Sequence, residues 1–166
     1  YANQSGETTT FDMYFSVDTN NPHTVVENQP IDPIGFHGPF QDGTTNWTVS
    51  PALPTDLVMD ANTGEITGSV NGVLANTTYT VTATHSDGAS ETLTFSLQSL
   101  ADFDGDGLPN DLPSDYNAAE GPTPGLVADT DDDADGLEDV VETNTSIYVD
   151  SNNTGSNPLD PDTDDD

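Results

Sequence analysis

The sequence contains no lysine and no arginine in 166 residues, against 31 aspartates and glutamates, which gives a formal charge of −31. Nothing in the chain can neutralise phosphate groups, so nucleic acid and anionic membrane surfaces are excluded as direct partners. Cysteine is also absent, which excludes disulfide bonds and thiol chemistry. No apolar run approaches the ~18 residues that a membrane-spanning helix needs, so we expect no insertion into a membrane.

The acidic residues are unevenly distributed along the chain. Eleven of them precede residue 101 and twenty follow it. Like charges at this density repel one another and oppose compaction. Bound divalent cations and high salt both reduce that repulsion, so we expect an extracellular or cell-surface location where calcium or salt is plentiful.

Groups suited to catalysis are scarce. Only His23, His37 and His85 exchange protons near neutral pH, and we expect each of them on the surface. Most of the clustered carboxylates fall on the metal-binding pattern described next. We therefore expect a protein that is not an enzyme.

The most informative segment covers residues 131–142 and reads DDDADGLEDVVE. It has Asp at positions 1, 3 and 5, Gly at position 6 and Glu at position 12 of a twelve-residue calcium loop. Alternate carboxylates on such a curled loop point at one centre, and calcium accepts six to eight oxygen ligands. The simpler alternative is a solvated acidic run, but the Gly and the Glu also fit the pattern. The predicted ligands are Asp131, Asp133, Asp135, the carbonyl of Leu137, Asp139 and Glu142.

The same pattern occurs less completely in residues 102–113, which read DFDGDGLPNDLP. Asp102, Asp104 and Asp106 occupy positions 1, 3 and 5, and the carbonyl of Leu108 occupies position 7. Position 9 is Asn110, which still offers an oxygen. Position 12 is Pro113, which has no ligating side chain, so Asp111, Asp115 or a water must close this loop.

A third loop begins at the end of the sequence. Residues 162–166 read DTDDD and repeat the phase of residues 129–133. The pattern stops at position 3, so we expect the chain to be part of a longer protein. The repeat predicts at least two calcium ions, and three or more if the third loop is completed. It adds four predicted ligands, Asp129, Asp162, Asp164 and Asp166.

Before residue 100 the pattern is typical of β-strands. Apolar and polar residues alternate in Phe11–Val17, Tyr79–Thr84 and Thr92–Leu97, and shorter runs occur at His23–Val26 and Asn46–Ser50. Several short strands separated by turns within about ninety residues indicate a β-sandwich. The predicted core consists of Phe15, Trp47, Leu53, Leu57, Ile66, Val81, Leu93 and Phe95.

Four segments of this region resemble a known family. They are WTVSPALP at 47–54, LVMD at 57–60, TGEITG at 63–68 and YTVTAT at 79–84. They resemble the cadherin-like, He-PIG type of Ig surface domain. The resemblance implies an Ig-like sandwich of the kind repeated in large surface and adhesive proteins, and it implies no catalytic residues. Asp56, where a Gly is usual, and the Gly68-Ser69-Val70 step depart from the family pattern.

The acidic segment is similar to thrombospondin type 3 repeats in DFDGDGLP at 102–109 and NPLDPDTD at 157–164. That resemblance implies that calcium organises a chain with almost no hydrophobic core. Without metal we expect disorder, because little apolar surface offsets the entropy of ordering. We expect a short helical turn in Leu137–Glu142, and spacers at 112–128 and 151–157.

The predicted organisation is therefore all-β. A flexible arm at 1–10 precedes an Ig-like sandwich at 11–100, and calcium-binding repeats follow at 101–166, the third of them truncated. The sequence favours an extracellular structural module of a microbial fibre, adhesin or surface layer. Expected partners are like subunits, arranged head to tail or by donation of the Phe11–Val17 strand to a neighbouring sheet, and surface glycans or proteins.

The alternative is a calcium-dependent module that binds carbohydrate or a protein partner. Sugar recognition requires exposed aromatic side chains. The candidates for that role are Tyr14, Phe36, Phe40, Tyr116 and Tyr148.

Overall fold

A computed structural model describes residues 16–17, 22–37, 46–118 and 125–163 of the chain. The arm predicted at 1–10, residues 11–15 of the predicted first strand and the start of the third loop at 164–166 lie outside these residues. The regular structure is almost all β, as predicted. The eight strands are β1 Ser16–Val17, β2 His23–Val26, β3 Phe36–His37, β4 Asn46–Ser50, β5 Leu57–Met59, β6 Ile66–Gly68, β7 Leu74–Thr84 and β8 Ser90–Leu100.

Four strands form the larger sheet in the order β2-β8-β7-β4. Strand β2 runs parallel to β8, whereas β7 is antiparallel to both β8 and β4. Strands β7 and β8 are longer than their predicted counterparts, with a register irregularity between Leu74 and Thr77. Their alternation is as predicted, because Phe95 and Leu97 are buried on one face of β8 while Thr92 and Thr94 are exposed.

The opposing layer is built from shorter pieces. Strands β5 and β6 form a hairpin, and β1 pairs with β3. The segment between β2 and β3 joins this layer, since Ile34 and Ile66 exchange two backbone hydrogen bonds of 3.0 Å. The N–H of Ile31 likewise donates to the carbonyl of Gly68 at 2.8 Å. The layers therefore enclose one hydrophobic core.

The core centres on aromatic side chains. The Phe95 ring lies 5.3 Å from that of Tyr79 and 5.4 Å from that of Phe36, and Phe36 in turn lies 6.2 Å from Trp47. Five predicted core residues are buried, and Leu53 and Leu93 pack against them while partly exposed; Phe15 lies outside the described residues. The sequence missed further buried residues, among them Ile31, Ile34, Phe36, Val70, Tyr79 and Leu97.

The structure contradicts two expectations, the sugar-stacking role of Phe36 and the surface position of His23. Phe36 was a candidate for sugar stacking, but it is only 5% exposed and belongs to the core. The His23 ring is partly buried and lies edge-on to Phe95 at 5.9 Å. The side chain of His85 is 18% exposed and lies 2.9 Å from Asp87 in the β7–β8 turn.

The acidic segment beyond Leu100 follows a different principle. Its one regular element within the described residues is a 3-10 helix at Asp139–Val141, inside the predicted helical turn. Backbone hydrogen bonds join Val141 to Thr154, Asn144 to Ser156, Ser146 to Gly155 and Val149 to Asn153. Residues 141–156 thus form a hairpin-like finger, and residues 151–156 are its returning arm rather than part of a spacer.

Membrane insertion was not expected. Throughout the described ranges, no helix has the length and apolar content needed to cross a bilayer.

Candidate metal centre

Each of the two complete loops brings three carboxylates together. In the first loop, residues 102–113, these belong to Asp102, Asp104 and Asp106. In the second loop, residues 131–142, they belong to Asp131, Asp133 and Asp135. Within each group, one oxygen of every carboxylate lies within 4.8 Å of one oxygen of the others. The spacing in sequence therefore becomes convergence in space, as the pattern predicts.

Three backbone hydrogen bonds hold these carboxylates, and they are the same in both loops. In the second loop, Asp131 accepts from the N–H of Gly136 at 3.1 Å, Asp133 from Asp135 at 3.2 Å and Asp135 from Leu137 at 2.7 Å. In the first loop the corresponding distances at positions 1, 3 and 5 are 3.1, 3.0 and 2.7 Å. In the second loop, each bond leaves the other oxygen of its carboxylate available to a cation.

Position 9 braces both loops. Asn110 accepts a hydrogen bond from the N–H of Phe103 at position 2, at 3.0 Å, and Asp139 accepts one from Asp132 at 3.0 Å. The backbone N–H of each position-9 residue also donates 2.9 Å to the carbonyl preceding its loop, that of Ala101 or Thr130. The sequence predicted Asp139 as a ligand and Asn110 as a residue able to offer an oxygen; in the structure, Oδ1 of each accepts a backbone hydrogen bond, and Oδ2 of Asp139 is not part of that bond.

The second loop contains carboxylate oxygens that are buried and unpartnered. At predicted ligand positions these are Oδ1 of Asp131, Oδ2 of Asp133 and both Oε atoms of Glu142, and Oδ1 of Asp132 at position 2 is likewise buried without a hydrogen bond. Asp133 is 6% exposed and Glu142 is 5% exposed. Burying a charged carboxylate costs free energy unless a hydrogen-bond donor or a positive charge compensates for the lost water. The four oxygens at positions 1, 3 and 12 of the predicted loop have no hydrogen-bond donor, so a cation would compensate for their burial.

The electrostatics agree with this geometry. Burial raises the pKa of Asp133, and the charges of Asp135 and Asp131 raise it further, although the backbone N–H of Asp160 acts against them. Burial also raises the pKa of Glu142, the nearby Ser156 hydroxyl lowers it although its contact falls outside hydrogen-bond geometry, and the charges of Asp133 and Asp135 raise it further. A cation among these carboxylates would reverse the repulsion.

In the first loop, the buried carboxylate has hydrogen-bond donors for both of its oxygens. Asp102 is 6% exposed, but its Oδ1 accepts from the N–H of Gly105 at 3.0 Å and its Oδ2 accepts from Gly107. Burial raises the pKa of Asp132 in the second loop, and the charge of Asp111, a candidate for closing the first loop, contributes to that rise. The closing ligand of the first loop stays unassigned.

The remaining predicted ligands shape turns. Oδ1 of Asp129 accepts from the N–H groups of Thr130 and Asp131 at 2.6 and 3.1 Å. The N–H of Asp129 donates to the carbonyl of Pro109 at 2.9 Å, which joins the two loops. Asp162 is exposed and donates its N–H to Asp160 at 3.4 Å. Asp164 and Asp166 lie outside the described residues.

The donor set of the second loop fits calcium. Hard carboxylate and carbonyl oxygens are what calcium prefers, and two free oxygens on one glutamate suit the bidentate position 12. The side chains of Leu108 and Leu137 at position 7 are 40% and 36% exposed, in keeping with the predicted role of the backbone carbonyl there. Both Asp clusters are able to hold a metal ion.

Comparison with known proteins bears on the sandwich. No curated protein matches the chain. The solved structure of the BIgI domain of beta protein from S. agalactiae, bound to CEACAM1, is similar with a TM-score of 0.37 and 17% identity. That likeness covers 53% of this chain and 96% of the other. The family described as "Putative Ig domain" (He-PIG) matches residues 7–99, which agrees with the resemblance of the four segments. The chain therefore belongs to this family of Ig-like domains.

Proposed function

We propose that the chain is a calcium-binding structural module of an extracellular microbial fibre, adhesin or surface layer. The observation that carries the proposal is the set of four buried, unpartnered oxygens on Asp131, Asp133 and Glu142. Two loops with matching hydrogen bonds support it, since an unselected acidic run has no reason to repeat them. The proposed role is mechanical and not catalytic.

The residues have separate roles in this proposal. Asp131, Asp133 and Glu142 hold the cation, together with Asp135 and the carbonyl of Leu137, while Asp139 keeps the loop closed. Bound calcium supplies positive charge at the centre of these oxygens. The backbone N–H groups of the loop fix the carboxylates in place beforehand. Binding energy at such a site contributes to folding, because the site does not exist in the unfolded chain.

The surface location is supported by charge and by family. A chain with a formal charge of −31 suits surroundings rich in calcium or salt. Membership of an Ig-like family supplies a compact sandwich of the kind used as a spacer or a binding unit. Calcium bound to the acidic segment would stiffen the part of the chain that follows the sandwich.

The direct test compares two glutamates of the second loop. Glu142→Gln removes charge at position 12, where both oxygens are unpartnered, whereas Glu138→Gln changes an exposed residue at position 8. We expect Glu142→Gln to weaken calcium binding at one site by roughly tenfold or more, because ligand charge sets the affinity of such loops. Glu138→Gln should bind as the wild type does.

Isothermal titration calorimetry gives both the stoichiometry and the affinity. Failure of the wild-type chain to bind calcium would refute the proposal. Equal weakening by both variants would show that overall charge, and not the loop, attracts the cation.

A second candidate is a binding module, favoured by the finger. Ile147, Tyr148 and Val149 on it are 65%, 71% and 62% exposed. Consecutive exposed apolar residues of this kind often mark a contact with a partner. Tyr148→Ser, tested on a glycan array and against isolated cell-surface proteins, would lose binding under this reading. The same variant would leave calcium affinity unchanged.

A further inference from the structure

The first calcium loop begins two residues after the sandwich ends, and residues of the sandwich contact it. The backbone N–H of Asp102 donates to Oε1 of Glu27 at 3.0 Å. The Gln29 side chain donates to Oδ2 of Asp102 at 3.4 Å. The Gln29 amide also covers Gly107, since a Cβ built there would lie 3.6 Å from Cδ of Gln29. Thus position 1 and position 6 of the loop both meet the segment that follows β2.

That segment is itself tied to both layers of the sandwich. The N–H of Glu27 donates to the carbonyl of Leu100 at 2.9 Å, which extends the β2–β8 pairing by one bond. The N–H of Asn28 donates to the carbonyl of Val70 at 2.8 Å, and Val70 is 1% exposed in the core. Residues 27–29 therefore connect the larger sheet, the core and the first loop by hydrogen bonds.

The energetic consequence concerns the state without a cation. Asp102 is buried, its backbone N–H lies 3.0 Å from the Glu27 carboxylate, and the loop adds the carboxylates of Asp104 and Asp106. Like charges this close destabilise the arrangement that the sandwich holds in place. A cation at the loop removes that repulsion and fixes Asp102, so the hydrogen bonds to Glu27 and Gln29 become stronger constraints.

We propose that Glu27 and Gln29 are positioning residues that couple cation binding at the first loop to the stability of the Ig-like sandwich. This coupling rests on the proposed function, because it requires that the first loop binds calcium. Calcium bound at the first loop then raises the temperature at which the sandwich unfolds. Calcium acts on the folded domain as well as on the acidic segment.

Thermal unfolding of the sandwich tests this coupling. Trp47 is the single tryptophan and is 5% exposed, so its fluorescence reports the sandwich alone. At calcium about a hundredfold above its Kd, linkage predicts a rise in Tm on the order of 10 °C over the chelated protein. Sodium chloride is kept high and constant, so that screening of the net charge does not contribute to the difference.

Variants distinguish a loss of coupling to the sandwich from a loss of calcium binding. Glu27→Ala removes the acceptor for the Asp102 N–H, and Gln29→Ala removes the second contact; both should lose most of the calcium-induced rise. Glu27→Gln keeps an acceptor but loses the charge, so its rise should exceed that of Glu27→Ala and stay below that of the wild type. Asp104→Asn in the first loop should abolish the rise, whereas Asp133→Asn in the second loop should leave most of it.

The outcomes distinguish the coupling from the proposed function. If calorimetry shows calcium binding but the wild-type Tm does not rise, the coupling is overturned and the calcium proposal stands. A rise that survives both alanine variants also overturns it. A complete absence of calcium binding would refute the proposed function and the coupling with it.

Discussion

At the scale of single residues, the side chain at position 9 makes the same hydrogen bond in both loops. Asn110 and Asp139 differ in charge, yet each accepts a hydrogen bond of 3.0 Å from the N–H at position 2 of its own loop. An amide oxygen and a carboxylate oxygen are equally able to do this. Both side chains therefore close their loops through the same hydrogen bond.

The second loop offers a direct test of that role. Asp139→Asn retains an acceptor, so we expect calcium affinity close to that of the wild type. Asp139→Ala leaves the N–H of Asp132 unpaired, and we expect a loss of about tenfold or more, typical of residues that orient ligands. Calorimetric titration of both variants decides the matter. Equal losses of calcium affinity in the two variants would instead identify the Asp139 carboxylate as a ligand of the metal.

Sequence reasoning succeeded at the residue scale where spacing determines geometry. The Asp residues at positions 1, 3 and 5 converge because alternate side chains of a curled loop face one point. It failed for Phe36, which stands among Gly and Pro residues and shows no alternation. Burial of Phe36 depends on Trp47 and Phe95, which are distant in sequence.

At the scale of elements, the long strands were predictable from the local sequence, whereas the pairings of short segments were not. Strands β7 and β8 were predictable because they alternate over many residues and are joined by a tight turn. The bonds of Ile31 and Ile34 to β6 were not predictable, because a short segment between prolines acquires its partner only in the folded sandwich. The pairing of β2 with the distant β8 is non-local in the same way.

The finger at residues 141–156 was also missed, because its returning arm is polar and unpatterned. It matters to the second loop, since the Ser156 hydroxyl acts on Glu142 and lowers the pKa that burial raises. Gly155 lies at the closest point of the two arms, with φ of +77°. A Cβ there would lie 2.4 Å from the carbonyl oxygen of Ile147, too close for any side chain.

Gly155→Ala should therefore open the finger and expose Glu142. We expect calcium affinity at the second loop to fall by about tenfold or more, while the first loop is unaffected. Ser151→Ala, at the exposed tip of the finger, is the matched control and should change nothing. Unaltered binding by Gly155→Ala would show that the second loop forms without the finger.

At the scale of the whole molecule, the chain combines two kinds of stability. The sandwich buries a core of aromatic and aliphatic side chains. In the described residues beyond Leu100, several large apolar side chains are exposed, including Val127, Val140 and Ile147 at 65%, 76% and 65%. Hydrogen bonds within turns are the main contacts there, and they compete with water.

Chelation of calcium should separate these two parts. We expect the acidic segment to become sensitive to a protease that cleaves at acidic residues, because its like charges then repel without compensation. The sandwich should keep its β-sheet circular dichroism at room temperature. Resistance of residues 101–163 to cleavage in the presence of chelator would contradict the view that calcium folds this segment.

The central place of β8 has a mechanical consequence. This strand is bonded to β2 on one side and β7 on the other, and the chain leaves its end directly into the first loop. Tension applied through the acidic segment would pull along the axis of β8 and load both rows of hydrogen bonds in shear. Rows loaded this way must break together, whereas a peeled edge strand gives way one bond at a time. The acidic segment thus continues from a strand that two rows of hydrogen bonds hold in the sheet.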